Sequence, residues 1–297
     1  MRRFDLLAAG RRLALGERPW LMGVVNASPD SFSDAGAYPD LDSRVARARE
    51  LLAAGADIID VGGESAITQR PPVGVSEEIE RVAPLVERIV RELGATVSID
   101  TYKPAVAQAA IAAGAVIVND VSGLRDPELA DVCAATGAAL VLMHTRAAPK
   151  ERLQDPERYD DVTADVVAFL SERIELARGR GVGAEQIVLD PGPDFAKTPA
   201  QTIAVLRSLD EVLELGRPLL LAVSRKDFIG ALTGRRPSAR LAGTLAAIAH
   251  GVDAGAHILR VHDVEAAADF LAVRAALRGE TDVDRSLALS DAIRHDR

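Results

Sequence analysis

The sequence predicts an α/β chain folded as one (β/α)8 TIM barrel, and three observations carry that reading. Eight short apolar runs alternate with longer amphipathic stretches along the 297 residues. The runs are near-continuously apolar, as parallel strands buried on both faces are. Eight strand–helix units in a chain of this length fit a closed barrel better than the runner-up, an open doubly wound sheet.

In order, the first 19 residues hold two short apolar runs about Gly10-Arg11-Arg12 and read as a small hairpin closing the barrel bottom. The strand candidates follow at 20–25, 57–61, 96–99, 116–118, 139–143, 186–189, 218–223 and 257–261. Helical patterns lie between them, among them 43–56, 76–95, 104–115 and 239–256. All four end in Gly-Ala, with the glycine suited to helix termination just before the next strand. The barrel proper covers about 20–278, the polar tail after Gly279 reads as a short peripheral helix, and 1–297 forms a single domain.

Composition narrows the function. Hydrophobic residues make up 48% and aromatics only 3%, so the core is aliphatic. A net charge of −9 argues against nucleic-acid or membrane-surface partners, while leaving room for a small anionic substrate held by local basic residues. The lone Cys133 rules out an internal disulfide framework and reads as a small buried hydrophobe. No run approaches the ~18 apolar residues of a membrane span. The start, MRRFDLLAAGRRLAL, lacks the long apolar core of a signal peptide, so a cytoplasmic protein is expected.

The chemistry is read from the residues that end the runs: Asn26, Asp60, Asp100, Asn119 with Asp120, His144, Asp190, Ser224 and His262. Each alone could cap a turn. Together, and with Lys226 and Arg260, they point to a shared pocket at the C-terminal rim, where the loops of such a barrel converge. Asp100, Asn119 and Asp190 suit a flat heterocycle with several N–H donors and carbonyl acceptors. Asn26, Arg260 and His262 come from the first and last strands and suit a phosphate or a magnesium-bound diphosphate. An arginine inside an apolar run is costly unless paired, which makes Arg260 a site candidate. For His144 a rim contact and a satisfied packing role both stand, and His250, His257 and His295 receive no role. Helix-face ligand spacing, a Walker loop, a GxSxG elbow and a dinucleotide fingerprint are all missing.

These strand ends sit in longer motifs. VVNASPDSFSDAG (24–36) resembles the first signature of the dihydropteroate synthase family, with Ser28 where threonine is usual. DIIDVGGES, SIDTYKP, VNDVSG, LMH, LDPG, SRK and RVHDV match further family motifs in order, from about residue 18 to 278. The resemblance implies an enzyme that joins 7,8-dihydropterin-6-ylmethyl diphosphate to p-aminobenzoate, releasing diphosphate and giving dihydropteroate. It implies a pterin site of Asp100, Asn119, Met143, Asp190 and Lys226. Mg²⁺ would lie on Asn26 and the diphosphate on Asn26, Arg260 and His262, with Asp100, Lys226, Arg260 and His262 catalytic. Small-molecule substrates and a homodimer are the partners implied.

The match breaks on the second substrate's side. The family's Glu-Ser-Thr-Arg-Pro-Gly becomes Glu64-Ser65-Ala66-Ile67-Thr68-Gln69-Arg70-Pro71, where Thr68 and Arg70 substitute only after a three-residue slip. Asp227 replaces a serine that contacts the p-aminobenzoate carboxylate, and a carboxylate there is repulsive. Gly-Phe-Gly becomes Asp194-Phe195-Ala196, which keeps the aromatic wall of Phe195 and adds a charge. These changes imply weaker p-aminobenzoate and sulfonamide binding. Two alternatives therefore stand beside the synthase: a diverged homologue that binds pterin diphosphate without normal turnover, and a pterin-dependent methyltransferase.

Overall fold

The computed structural model describes residues 1–27, 40–64, 72–290 and 294. Thr68, Arg70, Ser28 and His295 lie outside the described residues. The chain opens with a hairpin of β1 (Phe4–Ala8) and β2 (Arg11–Leu15), antiparallel with Ala8 opposite Arg11. Ala9 and Gly10 form the connection with φ of 49° and 77°, the positive values a type I′ turn requires. The turn thus sits one residue earlier than Gly10-Arg11-Arg12, and both arginines belong to β2.

Eight parallel strands follow: β3 (Trp20–Asn26), β4 (Ile58–Gly62), β5 (Thr96–Asp100), β6 (Ile117–Asp120), β7 (Ala139–Met143), β8 (Ile187–Asp190), β9 (Leu220–Leu221) and β10 (Ile258–Val261). They pair in the order β8-β7-β6-β5-β4-β3-β10-β9. A parallel bridge between Leu189 and Leu219 joins the two ends, with the Leu189 N–H donating to the Pro218 carbonyl at 2.9 Å. The ladder is therefore a closed barrel, as the run pattern predicts, with β9 shortened to two residues.

Helices cover the outside. In Val75–Leu93, the buried Val82, Leu85, Val86 and Ile89 recur at helical spacing, so one stripe faces the strands. Gly94 ends that helix with φ of 64° and its N–H on the Val90 carbonyl at 3.0 Å. Cys133 is fully buried, and burial pushes its thiol up to about 12. Among the described residues after Gly279 no helix forms, which corrects the expected peripheral helix; the segment has no apolar stripe to bury. No described helix is long and apolar enough to cross a membrane.

Strand alternation divides the apolar side chains into two cores. Leu21, Ile59, Val97, Val118, Leu140 and Leu189 point outward and pack under the helices. Met22, Ile58, Ile117, Val141, Val188 and Ile258 point to the axis. Leu6, Ala8, Leu13 and Leu15 of the hairpin join that inner cluster and fill the bottom of the barrel. Leu6→Ala, at a site only 1% exposed, should lower stability by about 2–5 kcal/mol. Urea unfolding with an unchanged slope and a lowered midpoint is the expected result; an unmoved midpoint would mean the hairpin is not part of the cooperative core.

Candidate active site

The alternation that orients the core also selects the polar side chains. Continuing the inner face upward from Met22, Ile58, Ile117, Val141, Val188 and Ile258 gives Asn26, Asp60, Ser98 with Asp100, Asn119, Met143, Asp190 and Arg260 with His262. These strands bring Asp100, Asn119, Met143, Asp190 and Arg260 together around one mouth. Asp60 is one layer deeper, level with Val24 and Ser98 in the strand register.

Arg260 organises this mouth. Its Nε donates to Asp60 Oδ2 at 2.7 Å and its Nη2 to Asp100 Oδ2 at 2.8 Å. Nη1 makes no hydrogen bond among the described residues. The Asn119 amide donates to the same Asp60 oxygen at 3.2 Å. Asp60 Oδ1 and Ser98 Oγ are buried without a partner among the described residues. Burial pushes the Asp100 carboxyl up, Arg260 pulls it down, and nearby Asp60 adds to the rise. The two carboxylates hold Arg260 above the ordinary arginine range despite its burial. Asp190 accepts the Gly192 N–H at 2.7 Å, and burial raises its pKa too.

The loops after β9 and β10 are tied together. Ser224 Oγ lies 3.0 Å from His262 Nδ1 and accepts the His262 N–H at 3.2 Å. Arg225, at φ 58°, donates to both oxygens of Asp263. Lys226 follows with its ammonium 4.2 Å from the Phe195 ring centroid, a cation–π contact, and burial lowers its pKa.

Two of the strand-end residues point the other way. Asp120 is out of phase with Asn119 and accepts the N–H groups of Ser122 and Leu124, at 2.8 and 2.5 Å, so it shapes a turn. His144 is out of phase with Met143 and packs edge-on against Phe169 at 4.9 Å. Its Nε2 lies 2.9 Å from Asp165 Oδ2, and Lys197 donates to its Nδ1 at 2.6 Å. His144 is thus a satisfied packing histidine, not a rim contact. Burial lowers its pKa to about 4.

The added charges also find internal partners. The Asp194 carboxylate accepts the N–H of Asp227 at 2.5 Å, the N–H of Phe228 at 3.3 Å and the Thr202 hydroxyl at 3.1 Å. Asp227 accepts from Arg240 Nη1 at 2.9 Å. Each added carboxylate thus has hydrogen-bond partners within the fold, Asp227 in an ion pair with Arg240 and Asp194 on neutral donors. Sequence reasoning missed Asp60 as a partner of Arg260, Arg240, and the fully buried Lys197. The in-phase spacing of Asp60 with Ile58 was the one available signal.

Lys103 clasps the described flanks of the 65–71 segment, donating to Glu64 Oε2 at 2.6 Å, Glu78 Oε2 at 2.6 Å and the Val73 carbonyl at 2.7 Å. A cavity of about 710 Å³ opens there, lined by Val75, Tyr102, Lys103, Ser122, Arg125 and Pro149 among others, and none of the inward-facing mouth residues lines it.

Fold and site together define a barrel enzyme that grips a small polar heterocycle and its anionic tail. A family model described as pterin binding enzyme matches residues 22–262. The dihydropteroate synthase of Bacillus subtilis is 44% identical over 255 residues, covering 85% of this chain and 86% of that one. The Xanthomonas albilineans dihydropteroate synthase with 4-aminobenzoic acid superposes with a TM-score of 0.84 at 43% identity, covering 93% of this chain and 98% of that one. The same enzyme in complex with 7,8-dihydropteroate gives 0.81 at 42%, covering 93% and 99%. The chain belongs to the dihydropteroate synthase family of pterin-binding enzymes.

The buried imidazole has a pH consequence. The folded pKa of His144 lies below its ordinary 6.5, so below that pH the unfolded chain takes up a proton that the folded chain refuses. The associated stability is complete above 6.5 and is lost as pH falls towards 4. The stability gap between the wild type and His144→Asn should therefore narrow across that interval in urea unfolding at stepped pH. A constant gap would contradict the assignment.

Proposed function

We propose that this chain joins 7,8-dihydropterin-6-ylmethyl diphosphate to p-aminobenzoate, giving dihydropteroate and diphosphate. One observation carries the reading: Asp100, Asn119 and Asp190 face a single mouth with Arg260 set between carboxylates beside them. Asp190 and Asn119 accept and donate along the edge of the flat pterin ring, while Met143 packs against it and Lys226 lies beside Phe195 at the rim.

The methylene–oxygen bond breaks first, and diphosphate leaves with the electron pair. Arg260 and His262 receive its charge, Arg260 through donors that Asp60 and Asp100 do not use. Asp100 stabilises the resulting pterin cation. The arylamine nitrogen then attacks the methylene carbon, forming the C–N bond, and gives up a proton. Phe195 offers an aromatic wall to the arylamine.

Magnesium fits the donor chemistry of this mouth. Among the described residues no three His, Cys, Asp or Glu side chains group to hold a metal alone. Asn26 offers one neutral oxygen beside the diphosphate residues, and magnesium is commonly held by few protein oxygens together with substrate phosphates. Bound there, the ion would neutralise charge developing on the leaving group.

Steady-state diphosphate release with pterin diphosphate, Mg²⁺ and p-aminobenzoate should saturate in both organic substrates. Asp190→Ala should abolish pterin-diphosphate binding in calorimetry; an unchanged affinity would sink the pocket assignment. Pterin binding without turnover would instead favour the diverged homologue, and methyl transfer to a corrinoid protein the methyltransferase. The proposed assembly is a homodimer, which would cover apolar side chains such as Val273 and Leu277, 60% and 83% exposed. Sedimentation velocity should give one species at about twice 31.4 kDa, and a single species at 31.4 kDa would refute it.

A further inference from the structure

We propose that Lys197 is a positioning residue for the arylamine half of the site, holding the loop after β8 so that Phe195 and Lys226 meet at the rim. The proposal rests on the synthase reading above. Lys197 is 0% exposed and heads the fully buried side chains by volume. A buried ammonium is tolerated only when its protons all find acceptors. Here there are three: His144 Nδ1 at 2.6 Å, the Gly192 carbonyl at 3.0 Å and the Phe195 carbonyl at 3.2 Å.

Burial lowers the Lys197 pKa to about 7, and the imidazole links its amine to a carboxylate. Accepting from Lys197 at Nδ1 leaves the proton of a neutral His144 on Nε2, where it is donated to Asp165. Arg146 holds the same carboxylate from the far side, with Nη2 2.7 Å from Oδ1 and Nε 3.0 Å from Oδ2. An unbroken polar chain thus runs from the loop after β7, through the helix Val162–Gly179, to the loop after β8.

That last loop needs holding. Gly192, Asp194 and Ala196 all have left-handed backbone, at φ of 64°, 67° and 51°, and only the first is a glycine. The Gly192 carbonyl accepts from the Lys197 ammonium and from the Phe195 N–H at 3.1 Å, and the Phe195 carbonyl accepts from the same ammonium. Between these two anchors the loop presents its working groups. The Phe195 ring faces the Lys226 ammonium at 4.2 Å, and Asp194 accepts the N–H groups of Asp227 and Phe228 immediately after Lys226. Asp190 lies on β8 itself, with only its carboxylate tied to the loop through the Gly192 N–H, so the pterin grip depends on Lys197 less than the rim does.

The test compares wild type, Lys197→Met and Lys197→Gln in the full chain. The expected result for Lys197→Met is a KM for p-aminobenzoate raised at least tenfold, with the calorimetric affinity for pterin diphosphate within about threefold of wild type. Lys197→Gln, which still donates to two acceptors, should recover part of that loss. If Lys197→Met does not fold, Lys197→Gln alone must show the same KM increase, in smaller measure. Equal changes in both constants, or a lowered kcat with KM unmoved, would overturn the positioning role. A wild type that binds pterin diphosphate but does not turn over would defeat the synthase reading instead, independently of either variant.

Discussion

A closed parallel barrel shows its axis only every second residue of each strand, and this site depends on that alternation. Because Met22, Ile58, Ile117, Val141, Val188 and Ile258 face inward, the residues two steps further along must do so as well. The same parity that keeps the lower barrel dry delivers Asp60, Asn119, Met143, Asp190 and Arg260 to its mouth. A shift of one position would send all of them under the helices. Packing and chemistry are therefore consecutive layers of a single geometric rule, with the apolar layers supplying the rigidity the polar layer needs.

Within the polar layer, one guanidinium joins residues 60, 100 and 260. Burial above all, with Asp60 adding to it, raises Asp100, while the two carboxyl groups keep Arg260 firmly protonated. Such an arrangement favours a ligand that brings N–H donors and cationic character to the ring side and anionic oxygens to the arginine side. A pterin methylene diphosphate has that polarity. The buried Asp60 holds the guanidinium through its Nε and so fixes its orientation.

The barrel was legible because aliphatic runs and amphipathic stretches are local signals. The strand-end rule found the mouth but could not sort it, since Asn119 and Asp120, or Met143 and His144, look alike until their phase against the strand below is counted. The internal bonds of Asp227 and Asp194 were hidden for a different reason. Their partners, Arg240 and the N–H groups of 227 and 228, are set by loop geometry that no spacing reveals. Lys197 left no trace either, because a lysine in a polar loop reads as exposed until its three acceptors, one from the loop after β7 and two from its own loop, are found around it. Among the described residues after Gly279 no helix forms because nothing there repays the order.

The hairpin at the bottom makes the barrel a cul-de-sac. With Leu6, Ala8, Leu13 and Leu15 filling the far end, every molecule that enters must leave by the same opening. Whatever lies deepest has to arrive before whatever lies above it, and the upper occupant holds the lower one in. A plugged floor thereby gives any two ligands stacked in one mouth an order of entry set by position alone.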